Sequence, residues 1–312
     1  MLLSIFGYVV YATLGFIKKE VFMLKKLIFC GIVVAVTLNF IGHGEETVKA
    51  GGVKLTEKDE FTLAAYVRCS RKSDDKVFGH LADYLSEATG YKIKYIKVKS
   101  EDEFLRKLRD TDFAVQHSFA LWVLNKKNID HNHEPIAIAT NFDEGKPEDR
   151  GTIVTRADSD IRTINDLRGK TFLFGSKHNS PKFFSAYMTF KDAGIDINKD
   201  LKSYEYGGAC KDNSKRVFDG EFDACVTGTW FKISGKKHPY FTDLRLLFET
   251  KRVPMHIFSA SKKNDKKIVK EIKKALLKWK IKNQFIRGFV ELSGNEFAEI
   301  GENVKKYDVP IF

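Results

Sequence analysis

Segments with the patterns of strands and helices alternate along most of the chain, and the alternation occurs twice. In the first set, apolar strands at 60–67, 91–98 and 112–115 are separated by stretches whose apolar side chains recur every three or four residues, as in helices. Helices between consecutive strands give parallel sheets with right-handed crossovers. Two such sets predict an α/β fold with two parallel-sheet lobes and a ligand cleft between them.

The second set of elements determines where we place the lobe boundaries. Helices are expected after residues 163, 180 and 213, and two long helices are expected at the C-terminal end. Strands are predicted at 136–140, 152–155, 170–174, 203–206, 223–227, 244–248 and 256–260. We therefore predict that lobe 1 comprises residues 57–142 and 253–312, and that lobe 2 comprises residues 143–252.

Two short apolar runs at the N-terminus predict export from the cytoplasm. The run 27–41 follows Met23 and two lysines and ends in Gly42-His43-Gly44, the pattern of a secretory signal peptide cleaved near residue 44. Both this run and the run 1–17 are shorter than the roughly 20 apolar residues that span a bilayer. Residues 1–44 are thus expected to be a signal peptide, with an N-terminal membrane segment as the alternative, and the predicted localisation is periplasmic.

Composition and charge narrow the class of protein without identifying a partner. The chain has 43% hydrophobic and 30% charged residues and only six prolines, which excludes disordered, collagen-like and disulfide-scaffold proteins. Without residues 1–44, which carry four Lys and one Glu, the net charge falls from +12 to +9. Such a charge is compatible with nucleic acid, acidic lipid, an anionic solute or simple solubility.

The residues that commonly mark enzymes, metal sites and nucleic-acid binding are not arranged in their usual motifs. No catalytic motif and no Cys-x-x-Cys occurs, so we predict no enzyme, no cofactor and no metal site. Residues 130–134 contain two histidines but are expected to be a solvated loop. Residues 264–285 are expected to form a helix with a solvated lysine face, since nucleic-acid binding would need aromatic or arginine side chains among the lysines. Of the cysteines after residue 44, Cys69, Cys210 and Cys225, at most two can pair.

Four turns that follow predicted strands carry groups suited to an anion. The strand ending at residue 174 leads to Ser180 as the expected N-cap and Pro181 at the first helical position. Free N–H groups at a helix N-terminus attract oxyanions, and Lys177, His178 and Lys182 add positive charge. Taken alone, each turn is better explained as an ordinary strand–helix connection. Together they predict these ligand-binding residues: Gln116, His117, Ser118, His178, Asn179, Ser180, Cys210, Thr227, Thr229 and Trp230.

Several segments resemble the substrate-binding proteins of phosphate, phosphite and phosphonate ABC transporters. The resemblance is carried by 157–174 (ADSDIRTINDLRGKTFLF), 78–90 (FGHLADYLSEATG), 111–115 (TDFAV), the helix 182–196 ending in DAGID, 217–224 (VFDGEFDA), 252–254 (RVP), and parts of 288–297. It implies a type II periplasmic binding protein fold whose two lobes close on a small oxyanion. It also implies an extracytoplasmic, monomeric component that delivers its solute to a membrane permease.

The chain departs from the pattern of this family at its expected ligand positions. Asn179-Ser180-Pro181-Lys182 stands where the family has Ser-Thr-Ser-Gly, and Cys210 stands where relatives carry His. Trp230 and His256 stand where binders of aminophosphonates have acids, which adds His256 to the predicted site and argues against a cationic ligand tail. Gln116-His117 replaces an aromatic or aliphatic residue followed by Gly. These differences predict a binding protein with an altered ligand.

Two other functions remain compatible with the sequence. A sensing subunit would share the fold but pass ligand occupancy to a signalling partner. A protein held through its lysines to acidic lipid or polymer would bind no defined small ligand and would lose binding steeply with salt.

Overall fold

The computed structural model describes residues 60–67 and 71–312, and the predicted signal segment 1–44 lies outside these residues. The strands are β1 (Glu60–Tyr66), β2 (Lys92–Ile96), β3 (Phe113–Gln116), β4 (His133–Asn141), β5 (Glu148–Asp149), β6 (Gly151–Arg156), β7 (Thr171–Phe174), β8 (Ser203–Tyr206), β9 (Ala224–Gly228), β10 (Leu244–Glu249), β11 (Val253–Pro254), β12 (Ile257–Ser261) and β13 (Ile286–Val290). The α-helices are α1 (Arg71–Thr89), α2 (Glu101–Leu108), α3 (Ser118–Lys126), α4 (Ser185–Asp192), α5 (Cys210–Phe218), α6 (Phe231–Ser234), α7 (Lys266–Leu276) and α8 (Glu296–Tyr307).

Two large sheets organise the two lobes. The first has the strand order β13-β4-β12-β3-β1-β2 and takes its strands from residues 60–141 and 257–290. The second has the order β10-β6-β9-β7-β8 and takes its strands from residues 151–249. The two-lobed α/β architecture predicted from the alternation is therefore present. The exact lobe boundaries stay a prediction.

Each sheet combines parallel strands with antiparallel ones. Strand β1 pairs in parallel with β2 and β3, and β7 pairs in parallel with β8 and β9, as helical crossovers require. The strands that enter each sheet from the connections between the lobes, β6 and β12, run the other way. Strand β12 is antiparallel to both β3 and β4, and β6 is antiparallel to β9 and β10. A short antiparallel ladder of β5 with β11 joins the two connections.

Apolar cores hold each lobe together, and one of them extends across the lobes. The first lobe buries Phe61, Leu63 and Phe113 with residues of α1 and α7. The core of the second lobe contains Phe172 and Phe174, and it also includes Phe119 from α3 and Ile300 from α8. Helices α3 and α8, which follow first-lobe strands in the sequence, thus pack on the second lobe. Phe119 stacks on Phe184 with ring centroids 4.5 Å apart and planes 2° from parallel.

The structure overturns two local predictions. The helix expected over 264–285 ends at Leu276, because residues 280–288 form a hairpin in which Ile281 N–H donates to the Arg287 carbonyl at 2.9 Å. Pairing of β13 with β4 at the sheet edge outweighs the helical spacing of the apolar residues. The supposed solvated loop 130–134 holds two buried histidines, and β4 already begins at His133. Within the described ranges, no helix combines the length and hydropathy needed to cross a membrane.

Candidate functional site

The loop after β7 and the first turn of the following helix form the centre of the candidate site. Asn179, and not Ser180 as predicted, is the N-cap, because its Oδ1 accepts from Lys182 N–H at 2.7 Å. Ser180 is the first helical residue, and the turn Ser180–Phe184 is π-helical. Such wide turns often occur at functional sites because they change the direction of nearby side chains.

Lys182 places a positive charge inside this site. Its side chain is buried, and Nζ donates to the carbonyl of Gly208 at 2.7 Å. Gly175 permits this close packing, since a Cβ at that position would lie only 2.5 Å from Cβ of Lys182. The charge of Lys182 also acts on two nearby histidines and lowers their pKa values.

Two serine hydroxyls join the lobes directly. Ser118 Oγ donates to the carbonyl of Pro254 at 2.6 Å, so its single proton is used there. Ser180 Oγ lies 3.1 Å from Ser118 Oγ and must therefore donate to it. Ser180 Oγ also accepts from Phe119 N–H at 3.1 Å. Both predicted ligand donors are thus engaged in contacts between the lobes.

His117 lies next to this hydroxyl pair and has conflicting hydrogen-bond partners. Its Nε2 is 2.8 Å from Asn179 Nδ2, which can only donate, and 3.1 Å from the Val67 carbonyl, which can only accept. One tautomer satisfies only one of these partners. The other ring nitrogen, Nδ1, is buried with no partner in the described part of the chain. Burial, followed by the neighbouring His256 ring and the charge of Lys182, holds the pKa of His117 well below its usual value, so the ring is neutral.

His256 and Gln116 complete a group of unpaired polar atoms that we call the histidine cluster: Gln116, His117 and His256. The two imidazole rings lie 4.7 Å apart. Neither nitrogen of His256 has a hydrogen-bond partner among the described residues, and neither has Oε1 of Gln116. Burial and the charge of Lys182 lower the pKa of His256 to about 3. Buried polar atoms without partners are costly, and they mark a place where a ligand or water would bind.

The carboxyl end of β9 contributes the remaining second-lobe residues. Thr227 and Thr229 are buried, and Thr227 Oγ1 donates to the Thr152 carbonyl at 3.2 Å. Trp230 is half-buried, with its ring edge-on to that of Phe142 at 4.9 Å. Cys210 lies in the apolar core of the second lobe, where its Sγ accepts from Gly228 N–H at 3.2 Å. Cys210 and Cys225 are both free thiols.

His178 lies outside the histidine cluster and joins the lobes at a different point. Its Nδ1 is 2.8 Å from Oε1 of Glu101, at the start of α2 on the first lobe. Burial opposes protonation of His178, but the hydrogen bond and charge of Glu101 outweigh it and raise the pKa of His178 above its usual value. The predicted role of His178 as a ligand donor is therefore less well supported than a role in holding the lobes together.

Two charged residues were not among the predicted ligand residues: Lys182, which belongs to the site, and Asp149, whose carboxyl interacts with the charge of Lys182. Lys182 had a signal in the sequence, since it stands in the first turn of the helix after the anion-binding loop. Asp149, on β5, had none. Burial raises the pKa of this half-buried carboxyl to about 7, although its hydrogen bond from Arg150 N–H at 2.8 Å opposes the shift.

Metal-binding side chains do not gather anywhere in residues 60–67 and 71–312. The two histidines of 130–134 have structural partners instead. His133 Nε2 lies 2.9 Å from the carbonyls of Leu108 and Thr111, and its Nδ1 lies 3.1 Å from Ser259 Oγ. His131 Nε2 lies 2.9 Å from Asn125 Oδ1.

Comparisons with known proteins agree with this architecture. A family model described as "ABC transporter, phosphonate, periplasmic substrate-binding protein" matches residues 70–294. No curated protein sequence matches the chain. Among solved structures, the binding component of an ABC phosphonate transporter from Pseudomonas aeruginosa is similar, with a TM-score of 0.67 and 13% identity over 81% of this chain and 87% of that one.

Two further solved structures contain bound ligands. PhnD1 from Prochlorococcus marinus, in complex with methylphosphonate, has a TM-score of 0.67 and 18% identity over 81% of this chain and 99% of that one. A protein from Xanthomonas citri bound to ATP has a TM-score of 0.61 and 14% identity over 80% of this chain and 98% of that one. These likenesses confirm the predicted type II periplasmic binding protein fold.

Proposed function

Because the chain belongs to the family of periplasmic substrate-binding proteins of phosphonate ABC transporters, we propose that it binds a phosphorus oxyanion between its two lobes, at the histidine cluster. The family consists of extracytoplasmic transporter components that bind a small solute and work with a membrane permease, and it is not a family of enzymes. This membership favours transport over sensing. A monomeric state, the absence of nucleic-acid binding, and membrane anchoring through residues 1–44 remain predictions.

The observation that carries the proposal is the set of unpaired atoms in the histidine cluster. Nδ1 of His117 and both ring nitrogens of His256 are buried without partners in the described residues. A neutral imidazole offers one N–H donor, and both rings are held neutral by burial. The buried ammonium of Lys182 supplies positive potential at the same place. Donors and positive potential in a site shielded from water are what a small anion requires.

Gln116 favours a phosphorus oxyanion over sulfate. Its Oε1 is an unpaired acceptor, whereas its Nε2 donates weakly to Ser259 Oγ at 3.4 Å. A phosphonate or phosphate monoanion presents a P–OH donor together with accepting oxygens, so it can satisfy Gln116 and the imidazoles at once. Sulfate is fully ionised and has no donor for Gln116.

Binding is coupled to closure because both lobes supply the groups that enclose the site. The first lobe contributes Gln116 and His117, and the second lobe contributes Asn179 and Lys182. The lobes already touch through Asn179 and His117 and through the two serine hydroxyls. A solute that satisfies His117 and Asn179 together interacts better with the closed arrangement than with an open one, and so shifts the population toward it. The permease would recognise this closed state.

Thermal unfolding with a panel of anions tests the proposal. Phosphate, phosphite, methylphosphonate and sulfate are added separately to the purified protein at equal ionic strength. A ligand present at a thousand times its dissociation constant adds about 4 kcal/mol of stability, which shifts the midpoint clearly. We expect at least one phosphorus oxyanion to raise the midpoint and sulfate not to do so. Equal midpoints for all anions would contradict the proposal.

A further inference from the structure

The described residues also form an open groove, which shares Trp230 with the predicted ligand-binding residues. We call it the lateral groove. It has a volume of about 640 Å³ and is formed by α6, by the end of β4 and by the hairpin 280–287. Both lobes therefore contribute to it. Its volume falls within the range of roughly 300–1,000 Å³ that is typical of small-molecule sites.

Trp230 links the lateral groove to the anion site. It directly follows Thr229, at the carboxyl end of β9, and its ring forms a wall of the groove together with Phe142. On the first-lobe side, Phe285 belongs to the hairpin, and its ring lies 6.2 Å from that of His256. Phe285 is buried and follows Gln284, which lines the groove, so it connects this part of the hairpin to His256.

The lining of the lateral groove is apolar on one part and cationic on another. Its apolar side chains are Phe142, Trp230, Ile233 and Ile281, and Ile233 is 46% exposed. Four cations accompany them: Lys237, Lys280, Lys282 and Arg287. No carboxylate lines the groove among the residues described.

The positive charge of these four side chains is not neutralised within the described protein. None of the four forms an ion pair with a described acidic residue. Arg287 donates only to main-chain carbonyls, from Nε to Phe142 at 2.7 Å and from Nη2 to Asp143 at 3.3 Å. These bonds fix the guanidinium in place and leave its charge available to an anion.

From this arrangement we infer that the solute carries, besides its phosphorus oxyanion, an apolar stem that lies on Trp230 and Phe142 and a second negative charge that faces the lysines and arginine of the lateral groove. This inference rests on the proposed function and specifies the class of solute for that site. A solute with an amine at the same end would place its positive charge against four cations. The carboxyl of Asp149 does not line the groove, so it would not offset this repulsion.

Phosphonates that differ only at the end of the tail provide the test. The tails end in carboxylate, methyl or ammonium, each with a two-carbon and a five-carbon spacer, and methylphosphonate serves as the short reference. Isothermal titration calorimetry at low salt measures each affinity on the full chain. We expect the carboxylate to bind most tightly and the ammonium most weakly, with roughly tenfold or more between them, because unscreened charges at close range interact strongly.

Charge-reversal variants locate the effect in the lateral groove. Lys237→Glu and Lys282→Glu each change one exposed lysine of the groove, one in the second lobe and one in the first. They should weaken the carboxylate-tailed ligand by roughly tenfold and leave methylphosphonate unchanged, since its methyl group is too short to reach the groove. Lys267→Glu, in the first turn of α7, carries the same change in net charge and should alter neither affinity.

The possible outcomes separate this inference from the proposed function. If the carboxylate tail binds most tightly to the wild type and this preference is lost in Lys237→Glu and Lys282→Glu, both the inference and the proposed function are supported. If methylphosphonate binds but the tailed phosphonates bind equally well whatever their charge, or the ammonium tail binds most tightly, the inference is overturned and the proposed function stands. Failure of every phosphonate to bind would overturn both.

Discussion

Nδ2 of Asn179 lies 2.8 Å from Nε2 of His117, so the helix start of the second lobe touches the first lobe at a buried imidazole. Nε2 of His117 also lies 3.1 Å from the Val67 carbonyl. Because it cannot accept from the amide and donate to the carbonyl together, one of these contacts is always unsatisfied. An oxyanion bound here, as proposed, would give Asn179 and the ring new partners and would thereby couple ligand binding to lobe closure.

The unpaired nitrogens of His256 should make this residue destabilising without ligand. His256→Leu removes two buried atoms that lack partners, so we expect the free energy of unfolding to rise by roughly 1–3 kcal/mol while phosphonate binding is lost. His133 is the matched control, because it is equally buried but bonded at both nitrogens. Urea unfolding should show that His133→Leu is destabilised. Destabilisation of His256→Leu would show that its nitrogens are satisfied.

The hydroxyl pair of Ser118 and Ser180 should contribute to the contact between the lobes as a coupled unit. Ser180→Ala leaves the buried Phe119 N–H without an acceptor and should cost about 1–3 kcal/mol. In a double-mutant cycle measured by urea unfolding, Ser118→Ala and Ser180→Ala should be non-additive by at least roughly 0.5 kcal/mol. Ser214→Ala, whose hydroxyl bonds within the second lobe, is the control and should be additive with Ser180→Ala. Additivity of the first pair would contradict a direct bond.

The contact of His178 with Glu101 should weaken as the pH rises. The pKa of His178 in the folded protein lies above its ordinary value of 6.5, so the stability from this pair is fully present below pH 6.5 and is lost as the pH rises through the folded-state value. Unfolding free energies of wild type and Glu101→Gln, measured from pH 5.5 to 8.5, should therefore converge toward high pH. Asp102→Asn, in the same helical turn, should follow the wild type. A constant difference between wild type and Glu101→Gln would exclude this linkage.

Asp149 should also make the folded protein less stable as the pH rises, because burial opposes ionisation of its carboxyl. Its pKa is about 7 in the folded protein against 3.8 ordinarily, so the folded state retains a proton that the unfolded state releases, and stability falls as the pH rises from about 4 to 7. Asp149→Asn can still accept from Arg150 N–H and should be more stable than wild type at pH 8 and about equal to it at pH 4. Asp110→Asn, an exposed substitution, should change little at either pH. A less stable Asp149→Asn protein at pH 8 would disprove the expected shift.

Much of the fold follows from local sequence patterns. The spacing of Val77, Phe78, Leu81 and Leu85 predicted the long helix α1, and all four side chains are buried in the core of the first lobe. Strand β13 was missed because its pairing with β4 spans about 150 residues, whereas the helical spacing before it is local. Antiparallel strands were also missed, because the direction of a strand depends on how the chain crosses between the lobes.

The site was predicted less completely than the fold. The loop of Asn179 and Ser180 was found because capping residues and proline have a clear local signature. Lys182 is buried because it packs closely against Gly175 and because its Nζ donates to the Gly208 carbonyl. These tertiary contacts leave no pattern of charge in the sequence. Cys210 and His178 were named from their turns, but the direction of a side chain from a turn is set by tertiary contacts: one faces an apolar core and the other faces Glu101.

Calorimetric titration of methylphosphonate into the wild type and into His256→Leu tests the central claim most directly. We expect one binding site per chain in the wild type and an affinity at least roughly a hundredfold lower in the variant, because the buried histidine donors would be incomplete. The variant should remain folded, as its thermal unfolding would show. Equal affinities for the two proteins would contradict the claim that the histidine cluster binds the oxyanion.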